Sequence, residues 1–232
     1  MRPRPGRSRP QPVRWLRAVV LLVLLSATGC TAASTAASTA TPDVQAEDTE
    51  PRDVVLVVVG DSLTAGSQPM ADGEVRGEGS WVPAALGEPL VLGGGWAVPG
   101  ATTGDMLRGI TAVEGDVLLL MAGTNDIARG IGWEASRDDL LTIPQTMGTG
   151  AVVVSAIPPS ADHAETTTAY NERLRQLATE QDWTFVDPWE AAREGEGWVP
   201  GDTVDGVHPT QEVADEVGRS LRAAVLARAG AG

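Results

Sequence analysis

Val54-Val-Leu-Val-Val-Val-Gly-Asp-Ser-Leu-Thr64 opens with six consecutive apolar residues, five of them β-branched, and the run closes at Gly60. It is too short for a helix of ordinary length and fits a strand buried on both faces, as in a parallel sheet. A glycine at its end permits a sharp reversal. Asp61 and Ser62 are thereby expected at the carboxyl edge of the sheet, where open α/β folds place their sites. Read alone, Ser62 serves equally well as the cap of the next helix.

The residues that follow repeat the same alternation. After a glycine-rich loop over residues 66–79, residues 81–86 read as a short helix and residues 89–92 as the start of a weaker strand. Gly93-Gly-Gly-Trp-Ala-Val-Pro-Gly100 comes next and reads as irregular backbone. Residues 116–123, 151–157 and 183–187 read as three further strands. Between them lie helical patterns over residues 105–110, 133–147 and 163–181, with Pro144 expected to kink or end the second. Residues 210–229 form a terminal helix capped by Thr210, with Val213, Val217, Leu221 and Val225 on one stripe. Strands alternating with helices predict a three-layer α/β/α domain on a mainly parallel five-stranded sheet.

The N-terminal part is different in kind. Met1 to Arg17 holds six arginines and no acid, residues 18–25 are wholly apolar, and Ser26-Ala-Thr-Gly-Cys30 follows. That is the pattern of a signal peptide over residues 1–29, because the apolar run falls well short of the ~20 residues a membrane span needs. Small residues directly before Cys30 resemble a bacterial lipobox, which implies a lipid anchor on Cys30 and a lipoprotein on the outer face of the cytoplasmic membrane. An ordinary secretory signal cut nearby leaves the protein secreted; in both cases it is exported. Residues 30–51 are rich in Ala, Ser and Thr and then acidic, a composition suited to a flexible linker. One domain is expected over residues 52–232.

Composition narrows the function. Cys30 is the only cysteine, so neither an internal disulfide nor a thiol nucleophile is available to the domain. All 17 basic residues are arginine; removal of residues 1–29 takes six of them and no acid, leaving 11 against 31 acids and a net charge of −20. Such a surface argues against nucleic acid and against electrostatic docking on anionic lipid. Without lysine a P-loop cannot be built. Two histidines 45 positions apart do not suggest a metal centre, and no cofactor is implied.

Three short stretches carry the chemistry: Gly60-Asp-Ser-Leu-Thr64, Gly123-Thr-Asn-Asp126 and Asp205-Gly-Val-His208-Pro209. A serine hydroxyl needs a base within hydrogen-bond reach before it attacks a carbonyl, and histidine is the usual base near neutral pH. His163 opens a helix among polar residues and reads as a surface group. His208 lies three residues after Asp205, in a loop that can fold the carboxylate onto its ring and fix its tautomer; Asp187 is the alternative partner.

The stretches, in this order, resemble the SGNH family of hydrolases, also known as GDSL esterases and lipases, over the region from about Val54 to the C-terminus. The resemblance implies a flavodoxin-like sheet. It also implies a serine esterase in which Ser62 is the nucleophile, His208 the base and Asp205 its orienting acid, with an oxyanion hole from the Ser62 and Gly100 backbone N–H groups and the Asn125 side chain. Pro99-Gly-Ala-Thr-Thr103 looks like the family's second block and selects Gly100 among several glycines. Gly60-Asp-Ser-Leu-Thr64 lacks the last glycine of the Gly-x-Ser-x-Gly elbow, so the α/β-hydrolase turn is not indicated.

The expected partner is a small-molecule or polysaccharide ester, with small or O-acetyl groups favoured because no lid is evident. Two alternatives stand beside it. One is a surface lipoprotein that uses the fold only to bind glycan or lipid; the other is an acyltransferase working with the same residues. Trp81, Trp96 and Trp183 read as core, whereas Trp133, Trp189 and Trp198 fall in or beside loops on the expected active edge.

Overall fold

The computed structural model describes residues 52–70 and 73–230. The expected signal peptide, the linker over residues 30–51 and the lipidation site at Cys30 lie outside the described residues. In chain order the elements are β1 (Val54–Gly60), α1 (Ser62–Ala65), α2 (Val82–Ala85), β2 (Leu90–Ala97), α3 (Thr103–Gly109), β3 (Val117–Met121) and α4 (Thr124–Ala128). There follow α5 (Trp133–Met147), β4 (Ala151–Ser155), α6 (Ala164–Glu180), β5 (Thr184–Val186), a hairpin of β6 (Arg193–Glu194) and β7 (Gly197–Trp198), and α7 (Gln211–Ala229). No helix among the described residues is long and apolar enough to cross a membrane.

Five strands form one parallel sheet in the order β2-β1-β3-β4-β5. The strand alternation that makes successive side chains point to opposite faces divides the core in two. Leu56, Val58, Leu119 and Met121 pack with α2 and with Val213, Val217, Leu221 and Val225 of α7. Val57, Val59, Leu118 and Leu120 pack instead with Met106 of α3, Leu140 and Ile143 of α5, and Leu174 and Leu177 of α6. The three-layer α/β/α expectation is met, and both faces are covered, which is why the strands read as unbroken apolar runs.

Two local readings need correction. The glycines after Leu92 belong to β2, which runs on to Ala97 with an irregularity opposite Leu56/Val57. They are glycine because β1 lies so close that a Cβ at Gly95 would run into the Val58 carbonyl, and one at Gly93 into the Val55 side chain. The second correction is at Pro144, where α5 does not end. Pro144 sits within the last turn, and the helix closes at Gly148, in a left-handed conformation (φ 75°), whose N–H returns to the Pro144 carbonyl at 3.0 Å.

The strand order reverses around β1. The chain goes from β1 outward to β2, then crosses back to β3 on the other side. A crevice at the carboxyl ends of β1 and β3 is the consequence, and it is the usual place for a site in such sheets.

Candidate active site

Ser62 begins α1 immediately beyond β1, and Asp61 is the cap: its Oδ1 accepts from the Leu63 N–H at 3.0 Å. The helix start therefore uses the aspartate and leaves the Ser62 side chain free to point elsewhere. Its Oγ lies 2.8 Å from His208 Nε2. On the other side of the ring, His208 Nδ1 lies 2.7 Å from Asp205 Oδ2. A carboxylate can only accept, so Nδ1 carries the hydrogen and Nε2 is left as the acceptor for the Ser62 hydroxyl. Asp187, the alternative partner, is elsewhere, ion-paired with Arg193 at 2.9 Å and accepting from the Trp189 N–H. His163 is exposed at the start of α6.

The loop that holds the histidine is locked by its own side chains. Asp205 Oδ1 accepts from the backbone N–H groups of Val207 (3.0 Å) and His208 (2.8 Å). Thr203 Oγ1 donates to the His208 carbonyl at 2.7 Å and accepts from the Gly206 N–H at 2.9 Å. Trp198 Nε1 donates to the Gly206 carbonyl at 3.0 Å, and the Trp198 ring meets Trp189 edge to face. Trp189 is fully buried, with its indole N–H on the Ala156 carbonyl at 2.9 Å, so it is core and not an active-edge aromatic. Partial burial pushes the Asp205 carboxyl up, but the hydrogen bonds from the His208 N–H, the His208 ring and the Val207 N–H outweigh it and hold the group below its usual range.

Gly100 follows β2 in a conformation with φ 77°, which favours glycine. Its carbonyl accepts from Arg129 Nη2 at 2.6 Å. Among the described residues neither the Gly100 nor the Ser62 backbone N–H has a hydrogen-bond acceptor. Two free donors at adjoining strand ends are what an anionic oxygen requires. Asn125 lies in α4, just beyond Gly123; its Nδ2 donates to Asp61 Oδ2 at 3.1 Å and to the Ala101 carbonyl at 3.0 Å. Gly123 lets α4 start here because a Cβ, besides being strained at φ 128°, would meet the Tyr170 ring. Asp126, buried beside it, accepts from the Thr103 N–H (3.0 Å) and the Ser136 hydroxyl (2.8 Å), tying α4 to the starts of α3 and α5.

The roles of three residues escaped the sequence reading. Asp61 is wholly buried, and burial pushes its carboxyl up to about 6, an effect only partly offset by the Leu63 N–H, by His208 and by Asn125. Arg129 lies four residues after Asn125, the helical spacing at which a side chain rejoins the same face, and that spacing was a usable signal. Trp198 acts through a backbone carbonyl, for which no pattern exists. Among the described residues no group of three or more His, Cys, Asp or Glu side chains is placed to hold a metal ion.

Residues 58–215 match the family described as GDSL-like Lipase/Acylhydrolase. Among solved structures the chain is similar to a carbohydrate esterase family 3 protein from Talaromyces cellulolyticus (18% identity, TM-score 0.59, covering 77% of this chain and 99% of that one). It is similar also to an acetyl xylan esterase from Geobacillus stearothermophilus (19% identity, TM-score 0.58, 75% and 95% covered). A third similar structure is a GDSL-like lipase from Bacteroides thetaiotaomicron (20%, 0.57, 75% and 88%). At these identities the likeness is one of fold. No curated protein matches the sequence.

Proposed function

The chain belongs to the GDSL-like lipase/acylhydrolase family and is an ester-hydrolysing enzyme, and from that premise we propose that it cleaves carboxylic esters through an acyl-enzyme on Ser62. Ser62 Oγ attacks the ester carbonyl carbon while its proton passes to His208 Nε2, and the carbonyl electron pair moves onto oxygen. The Ser62 and Gly100 N–H groups, free of other acceptors, receive that oxyanion. Asn125 joins them by exchanging one of its two present acceptors for the anion. Collapse of the tetrahedral intermediate expels the alkoxide, which takes the proton from His208 and leaves as the alcohol. Water then attacks the acyl-enzyme, gives its proton to His208, and a second collapse releases the acid and restores the Ser62 hydroxyl. Throughout, Asp205 keeps the hydrogen on Nδ1 and stabilises the imidazolium.

The observation that carries this reading is the unbroken Ser62–His208–Asp205 chain, with contacts of 2.8 and 2.7 Å. Small acyl groups, O-acetyl on carbohydrate among them, are the substrates we favour. The names of the acetyl xylan esterase and the family 3 carbohydrate esterase, whose fold this chain shares, support that choice. The test is hydrolysis of 4-nitrophenyl acetate by Ser62→Ala: the reading expects loss of at least about 10³ in kcat with an unchanged circular dichroism spectrum. Retained turnover in the folded variant refutes it.

A further inference from the structure

Beside Ser62 opens a cleft of about 770 Å³ whose walls include Gly66, Pro99, Val204, His208 and Pro209; among the described residues its only ionisable lining groups are His208 and Glu78. Val204 is 69% exposed, the one exposed large hydrophobic side chain among the described residues. A lone apolar group on a surface needs no explanation in itself. This one is different in lining the same cleft as Ser62 and His208. Its N–H donates to the His208 carbonyl at 2.9 Å, the same carbonyl that receives the Thr203 hydroxyl, and Thr203 bridges to Pro209 across the loop. The loop that presents the base thus also holds an isopropyl group in water at the mouth of the cleft. That arrangement suits a group whose apolar surface is covered when substrate binds.

The chemistry decides which half of the ester lies there. In the tetrahedral intermediate the oxyanion faces the Gly100 and Ser62 N–H groups, whereas the leaving oxygen has to come within hydrogen-bond reach of His208 Nε2 to be protonated. The group attached to that oxygen therefore leaves on the histidine side, where Val204, His208 and Pro209 form the wall. Building on the reading of Ser62 as nucleophile, we propose that this cleft receives the alcohol half of the ester, with Val204 packed against its apolar face. Val204 is then a specificity-determining residue, and the substrates are esters of a small acid with a bulky, neutral alcohol that offers an apolar face; the Glu78 carboxylate at the cleft disfavours acidic alcohols.

The test compares kcat/KM for two ester series in the wild type, Val204→Ser and Val204→Leu. One series holds the acyl group constant (methyl against benzyl acetate), and the other holds the alcohol constant (methyl acetate against methyl hexanoate). Val204→Ser is expected to lower the benzyl-to-methyl preference about fivefold, the effect of losing part of one apolar contact, and Val204→Leu to keep it within about twofold. The acyl-length preference moves with neither variant. A change in the acyl series instead overturns the proposal by placing the acyl chain in the cleft, and no change in either overturns it by placing Val204 out of contact. Ser62→Ala is run alongside: turnover that survives it removes the underlying nucleophile assignment, whereas Ser62-dependent turnover with an unaltered alcohol preference removes the Val204 proposal alone.

Discussion

Burial of Asp61 makes a quantitative prediction about stability. Its carboxyl moves from 3.8 in the unfolded chain to about 6 in the folded protein. A shift of about 2 pH units at 1.36 kcal/mol each corresponds to about 3 kcal/mol. The sign is unfavourable at neutral pH. The folded state binds the proton more tightly than the unfolded one, so stability falls as pH rises through the window between 3.8 and about 6, and the penalty is complete above it. Asp61→Asn removes the titration while keeping the shape, and the other acids cancel when the two proteins are compared. Unfolding by urea at pH 4 and pH 7 measures the effect. Relative to Asp61→Asn, the wild type loses about 2 kcal/mol on going from pH 4 to pH 7, most of the total because pH 4 already lies inside the window. A stability difference that stays level between those pH values refutes the argument. At any one pH the asparagine variant also loses an acceptor, since its amide faces the Asn125 amide, donor against donor, in place of the 3.1 Å bond. That offset is common to both pH values and drops out of the comparison.

Asp205→Asn leaves the loop shape largely intact but replaces the acceptor at His208 Nδ1; kcat for an acetate ester is expected to fall about 10²–10⁴-fold, with KM changed far less. The Asp205 carboxyl lies below its usual range, held there by His208 and Val207 against the upward push of burial. Asp205 therefore stays ionised as pH falls towards the ordinary carboxylate range, and a wild-type acid limb attributable to Asp205 at or above that range contradicts the assignment. Arg129→Ala frees the Gly100 carbonyl from its 2.6 Å bond, and kcat is expected to drop about tenfold with KM within about twofold, partly restored in Arg129→Lys. A change confined to KM disproves the positioning role of Arg129.

The parallel sheet was legible because burial on both faces leaves an apolar run with nothing polar to confuse it, as in Val54–Gly60. Ser62 could be placed just beyond β1, and Asp205 and His208 in the loop before the last helix, because these residue types at this spacing stand out in the chain, and the structure brings the three side chains together. The extent of β2 was not. Glycine normally reads as a strand breaker, and here it answers a close approach by β1 that exists only in three dimensions. Trp189 was misplaced for a related reason: its neighbours in sequence are loop residues, whereas its burial depends on the distant Ala156 carbonyl. Asp61 lay in plain view next to the nucleophile, but its complete burial, which raises its pKa, is a property of the folded chain, in which Asn125, 64 positions away, comes within 3.1 Å of its carboxylate.

The central claim is that His208 and Asp205 activate Ser62 in the resting protein. Reaction of the protein with a fluorophosphonate probe, followed by peptide mapping, tests it without any choice of ester. The account predicts one adduct, on Ser62, formed rapidly in the wild type and lost in His208→Ala. Absence of an adduct on folded wild-type protein, or labelling of Ser62 that persists undiminished without His208, contradicts it.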